Sequence, residues 1–207
     1  MRYLDDGSCS VHDGLRLLPS FFHVADLTIR FRWTAKAASR YLYHWKIQGY
    51  VVALGGQSGI YANLVVDKDP QWESALRMIM PTAVVIGIEI LRRAGWTTQI
   101  PYVPTVAVNA AKRVCKVEHF NVEALPPEWY DLMACGIREN EAGALPYLTP
   151  AWALADLIRR EGWCDCGVGP DDIYWYMVTE RDRQEWVTAC SALHLGSMPM
   201  NPDGPHD

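Results

Sequence analysis

Residues 30 to 61 read Arg30-Phe31-Arg32-Trp33-Thr34-Ala35-Lys36-Ala37-Ala38-Ser39-Arg40-Tyr41-Leu42-Tyr43-His44-Trp45-Lys46-Ile47-Gln48-Gly49-Tyr50-Val51-Val52-Ala53-Leu54-Gly55-Gly56-Gln57-Ser58-Gly59-Ile60-Tyr61. Thr34 is a good helix N-cap, because its hydroxyl can bond a free amide of the first turn. After it, Ala38, Leu42 and Trp45 recur at spacings of four and three, which puts them on one face of a helix. The opposite face carries Lys36, Ser39, Arg40, Tyr43 and Lys46, while small Ala35 and Ala37 permit close approach to a groove. Gly49 is placed to end the helix in the left-handed conformation. Two short β-rich runs then flank Gly55-Gly56-Gln57-Ser58, and glycines permit the positive dihedrals that a tight hairpin needs. A capped basic helix followed directly by a glycine-tipped hairpin is the order of a recognition helix and its wing.

Upstream, residues 14 to 31 are predicted to form two short helices. Leu15, Leu17, Leu18, Phe21 and Phe22 supply the apolar set of the first. Val24, Ala25, Leu27, Ile29 and Phe31 supply that of the second, over about His23 to Phe31, and Trp33 fills the turn to the basic helix.

The net charge is -5, but it is unevenly distributed. Residues 1 to 65 carry seven basic and four acidic groups, a balance of +3, and the remainder carries twelve and twenty, a balance of -8. Between residues 28 and 50 there are five basic residues and no acidic one. Local field decides attraction to phosphate, and total charge does not. Lys36, Ser39 and Arg40 are therefore expected to meet base edges or phosphates. Arg30, Arg32 and Lys46 are expected to hold phosphates, and Gln57 and Ser58 to touch backbone or minor groove. Thr34 and Tyr43 complete the expected DNA-facing set.

Half of the 207 residues are apolar, nine of them tryptophan, which speaks for core or interface and against disorder. No run of about 18 uncharged apolar residues occurs, so no membrane span is expected. The first residues lack the apolar centre of a signal peptide, and a cytoplasmic protein is expected. Six cysteines stand at positions 9, 115, 135, 164, 166 and 190. Cys164-Asp165-Cys166 is the only close pair, and no second pair completes a tetrahedral site. Reduced thiols, no metal and no cofactor are expected.

The loop Gly55-Gly56-Gln57-Ser58-Gly59 lacks the Lys-Ser/Thr ending of a phosphate-binding P-loop. No nucleophile elbow, zinc-protease helix or dinucleotide fingerprint occurs. Asp171-Asp172 and Glu180-x-Asp182 begin predicted helices, where carboxylates cap and favour the dipole. Neither catalytic residues nor an enzyme is expected.

The second half is predicted as follows. A helix runs from Pro81 to about Ala94, and an edge or bulged strand from Tyr102 to Val108, broken by Pro104. A strand over Val114 to Val122 pairs with it. A helical turn follows at Glu128 to Met133, then a hairpin around Glu139 to Gly143. Helices are predicted from Pro150 to about Glu161, capped by Thr149, from 170 or 171 to near Val178, and from Glu180 to Leu193. The run Ile173 to Met177 with Trp186 is either core or an exposed partner patch.

The N-terminal unit followed by this second half resembles the AbiEi-type antitoxins, the regulator halves of bacterial type IV toxin-antitoxin and abortive-infection operons. Four passages carry the resemblance, which spans about residues 14 to 193. They are Ile47-Gln48-Gly49-Tyr50 with its close at Gly59-Ile60-Tyr61, Pro81 through Gly95-Trp96, Pro101 to Val108, and Leu148 to Ile158 with its Pro150-x-x-Ala153-Leu154-x-Asp156 core. The resemblance implies a sequence-specific autorepressor that binds double-stranded DNA at its own operator. It also implies a cognate nucleotidyltransferase-like toxin as partner. The acidic second half and the tryptophan load depart from the family. The expected architecture is α+β, with a winged helix-turn-helix over 1–66, a mixed α/β domain over 67–197 and a polar tail over 198–207. Two alternatives stay open: a winged-helix adaptor that binds protein only, and a nucleic-acid-processing enzyme with its chemistry in the acidic half.

Overall fold

The computed structural model describes residues 11–55, 57–109, 111, 116–140, 144–162 and 167–196. Gly56, the pair Cys164 and Cys166, most of the hairpin tip at 141–143 and the tail from 197 onward lie outside these residues. The architecture is α+β with two sheets. The chain divides into two compact units, one running to Ile79 with a return segment at 115–118, the other formed by the remainder.

The first unit holds α1 (Val11–Arg16), β1 (Phe21–His23), α2 (Val24–Arg30), α3 (Ala35–Ile47), β2 (Val51–Ala53), β3 (Ile60–Asn63) and α4 (Trp72–Ile79). Its antiparallel sheet has the order β1-β3-β2, with Phe22 opposite Tyr61 and Val52 opposite Ala62. Phe21 and Phe22 lie in a strand and not in the predicted first helix. Phe22 is fully buried in the core with Leu15, Leu27, Leu42 and Trp45, whereas Phe21 packs on Trp72 in a second cluster. Neighbours facing opposite sides have the period of a strand, and so short an apolar set cannot distinguish the two periods. Helix α4 fills the second cluster through Ala75, so the boundary between units falls at Ile79 rather than at 66.

Helix α2 is capped by His23, whose Nδ1 accepts from the Ala25 amide at 3.0 Å, while the Asp26 carboxylate accepts from the His23 amide at 2.8 Å. This reciprocal pair satisfies two amides that a helix start leaves free. Asn63, fully buried, donates its side-chain amide to the Leu15 carbonyl at 2.8 Å and ties β3 to the end of α1.

The second unit holds β4 (Val84–Ile86), α5 (Ile88–Arg93), β5 (Thr105–Asn109), β6 (Asn121–Leu125), α6 (Pro127–Met133), β7 (Ile137–Arg138), β8 (Tyr147–Leu148), α7 (Pro150–Glu161) and α8 (Glu180–Leu193). Its mixed sheet has the order β6-β5-β4-β8-β7. The helix predicted from Pro81 to Ala94 is instead a buried strand and a shorter helix. Val84-Val85-Ile86 is β-branched and buried on both faces, and Gly87 at φ 76 turns the chain out of the strand. Pro104 precedes β5 and does not break it. β5 is an inner strand, pairing antiparallel with β4 and parallel with β6. The predicted Val114 to Val122 strand falls at Asn121 to Leu125, because residues 116–118 turn away to pack with the first unit.

Helices α6, α7 and α8 lie where their proline, threonine and apolar spacings predict. Thr149 occupies the N-cap position of α7 without a side-chain cap bond. The segment after Pro170 forms two separate 3-10 turns, Pro170–Asp172 and Trp175–Met177, and not one helix. The predicted capping carboxylates do cap. Asp172 accepts from the Gly169 amide at 2.8 Å, and Asp182 accepts from Thr179 at 3.0 Å. Ile173 and Trp186 are core while Tyr176 and Met177 are exposed, so the aromatic run is divided between both readings.

Helix α7 is buried over Ala151 to Ile158, as expected of a helix that is apolar on every side. Its one charge there, Asp156, accepts from the Trp129 indole at 2.8 Å and from Arg160 at 2.9 Å. Arg160 also donates to Glu123 on β6 at 2.7 Å. Burial pushes the Asp156 carboxyl above its ordinary pKa, against the pull of Arg160 and the indole. The buried charge is thus tolerated through paired hydrogen bonds.

Candidate nucleic-acid interface

The basic helix is built as its residues dictate. The Thr34 hydroxyl accepts from the Ala37 amide at 3.2 Å and caps α3. Ala38, Leu42 and Trp45 are buried on its inner face. At the other end Gly49 takes φ 71, the Tyr50 amide donates to the Trp45 carbonyl at 2.9 Å and the Gly49 amide to Lys46 at 3.1 Å. This double closure is a Schellman motif, and it sends the chain straight into β2. An aromatic stack of Phe31, Trp33 and Tyr41, with centroids 4.9 and 4.3 Å apart, sets the turn from α2 into α3.

Of the ten residues expected to face DNA, nine are exposed: Arg30, Arg32, Thr34, Lys36, Ser39, Arg40, Tyr43, Lys46 and Gln57. Lys36, Ser39, Arg40, Tyr43 and Lys46 come together on the outer face of α3, opposite the buried stripe. Arg40 lies over the Tyr41 ring at 5.5 Å to the centroid, which orients it at the edge of that face. Among the described residues, Arg30, Arg32, Lys36, Arg40 and Lys46 make no ion pair, so their field is not cancelled at close range. Arg32 sits at φ 55 in the tight turn before the Thr34 cap.

The hairpin differs from the expectation in two respects. Ser58 is half-buried and its hydroxyl accepts from the Ile60 amide at 3.2 Å, so it builds the turn and leaves Gln57 as the outward group. The return segment docks on the hairpin. The Glu118 amide donates to the Leu54 carbonyl at 3.1 Å, and Val117 joins the cluster of Leu54 and Ile60. Exposed Lys116 and Glu118 thereby stand beside the hairpin, one charge of each sign. Their position more than fifty residues away from the hairpin in sequence left no local signal. Ile47 is 66% exposed on the same outer face of α3, as its spacing of four from Tyr43 implies.

In the second unit, Glu89 in the first turn of α5 accepts from Arg92 and Arg93 in its last turn, each at 2.8 Å. No group of three or more His, Cys, Asp or Glu among the described residues is placed to hold a metal ion. Among these residues no helix is long and apolar enough to cross a membrane.

No family model matches the chain, and no curated protein matches it. Among solved structures it is similar to the crystal structure of RV2827C protein from Mycobacterium tuberculosis, at 17% identity and a TM-score of 0.52, over 91% of this chain and 76% of that one. At that identity the likeness is one of fold.

Proposed function

We propose that the chain is a sequence-specific DNA-binding protein whose first unit is a winged helix-turn-helix, with α3 as recognition helix and the β2–β3 hairpin as wing. The observation that carries this reading is the outer face of α3, where Lys36, Arg40 and Lys46 are exposed and make no ion pair among the described residues. The element order supports it: three helices, with a short strand before the second that pairs to the far side of the hairpin. Such pairing braces a wing against the helices it must work beside. The resemblance of the four passages to AbiEi-type antitoxins extends the proposal. The protein would repress its own operon and counter a nucleotidyltransferase-like toxin through its acidic second unit.

Fluorescence anisotropy of the full chain with the duplex upstream of its own gene tests the first part. Submicromolar, salt-dependent binding supports it, and no binding at low salt overturns it. Co-expression with the product of the adjacent gene tests the second, with relief of growth arrest expected. One observation favours a protein-binding adaptor instead: Tyr43 and Ile47 on the same face are large, apolar and exposed. An adaptor would bind no duplex.

A further inference from the structure

Four outer-face residues of α3, Lys36, Arg40, Tyr43 and Ile47, follow one another at spacings of four, three and four. At about 100° per residue these spacings align them in a single stripe along roughly 16 Å of helix. The first two are cations. The last two are 64% and 66% exposed, among the largest apolar exposures of the first unit. An ordinary solvated face would carry polar groups at its centre, and this one carries a phenol ring and a branched aliphatic side chain.

We propose that Ile47, with the ring of Tyr43, reads thymine methyl groups on the floor of a major groove. The inference rests on the DNA-binding reading above and deepens it. The occupant follows from charge complementarity. Between residues 28 and 50 there are five basic residues and no acidic one, and along the stripe two cations lead two apolar groups, so a surface that accepts it must offer anionic and apolar groups side by side. A duplex meets both demands. Phosphates line the groove, and the thymine C5-methyl is the only apolar group presented on its floor. Cations that meet phosphates fix position and carry little sequence information. Ile47 has no hydrogen-bonding group, so its contact discriminates by methyl burial alone. Ile47 thereby becomes a specificity residue, distinct from any cation that holds a phosphate.

The test uses the full chain and a duplex selected by it from a random-sequence library. In that duplex each thymine is replaced in turn by deoxyuridine, which removes the methyl and keeps the pairing. At one or two positions the wild type is expected to bind the uracil duplex about fourfold more weakly, the fold-change for one buried methyl at about 0.8 kcal/mol. Ile47→Ala and Tyr43→Ala are expected to fold normally, since both side chains are exposed. Ile47→Ala should bind the thymine duplex about as weakly as wild type binds the uracil one, and no longer distinguish them. Lys36→Ala should weaken both duplexes equally and keep the difference. Strong duplex binding with no thymine–uracil difference at any position overturns this inference and leaves DNA binding standing. So does a difference that survives both Ile47→Ala and Tyr43→Ala. Failure to select any duplex removes the DNA-binding reading itself, and the stripe then belongs to a protein partner.

Discussion

The Tyr50 amide reaches back to the Trp45 carbonyl at 2.9 Å across Gly49, which stands at φ 71. That one closure ends the basic helix, buries Trp45 beneath it and aims the chain into the hairpin. A Cβ at Gly49 would meet no atom within 4 Å, so only the backbone penalty of a left-handed residue opposes substitution. Gly49→Ala is expected to destabilise the fold by about 1 kcal/mol. Urea denaturation checks it, and an unchanged midpoint would show that the glycine is dispensable.

The salt dependence of duplex binding should count the cations on α3. On the proposed DNA-binding reading, replacing Lys36 and Arg40 together by alanine would remove two phosphate or base-edge contacts. The slope of log K against log salt should fall in magnitude by about 2. Titrations at several salt concentrations read this directly, and an unchanged slope would place both side chains away from the duplex.

Gly136 offers a sharper steric prediction. Its added Cβ would overlap the Trp152 side chain, and Trp152 is buried in α7. Gly136→Ala should cost about 3 kcal/mol, at the upper end of overpacking penalties. Thermal unfolding measures the loss.

Glu89 gives a pH dependence with a definite sign. Burial alone would raise its pKa, but hydrogen bonds from Arg92 and Arg93 outweigh burial and hold the carboxyl below its ordinary value. A depressed folded-state pKa contributes stability that is present above the unfolded value of about 4.3 and is lost as pH falls through the folded one. Glu89→Gln should therefore destabilise the protein by about 2 kcal/mol near neutral pH. The difference from wild type should shrink below about pH 4. Equal stability of the two proteins at neutral pH would refute the assignment.

The two described cysteines should differ in reactivity. Cys190 is buried and its thiol is pushed up to about 11 by burial, whereas Cys135 is exposed. The thiolate is the reactive form. Iodoacetamide should label Cys135 in the folded protein and reach Cys190 only in denaturant, as read by peptide mass spectrometry.

Helix α3 and its ends were legible in the sequence because every signal for them is local. Thr34 caps within three residues, Ala38, Leu42 and Trp45 repeat within one helix, and Gly49 acts on its immediate neighbours. The same holds for α7 and for the capping carboxylates Asp172 and Asp182. The exposed cations were legible as well, since a helix with one apolar stripe must turn the other side outward. Short apolar runs were not. Phe21-Phe22 and Val84-Val85-Ile86 suit either a helix or a strand, and partners far along the chain decide between them. Phe22 pairs with Tyr61, and Val85 lies between Val106 and Tyr147.

The polar bonds that hold the second unit were equally hidden. Asp156 meets Trp129 and Arg160 meets Glu123 across separations of 27 and 37 residues. The docking of Val117 and Glu118 on the hairpin has the same character. Sequence by itself determined what each segment could do alone, because capping, periodicity and left-handed glycines depend on neighbours within a few bonds. Tertiary structure decided which strands pair and which charges are neutralised. Those outcomes depend on which distant surfaces exclude water together, and no local pattern encodes that.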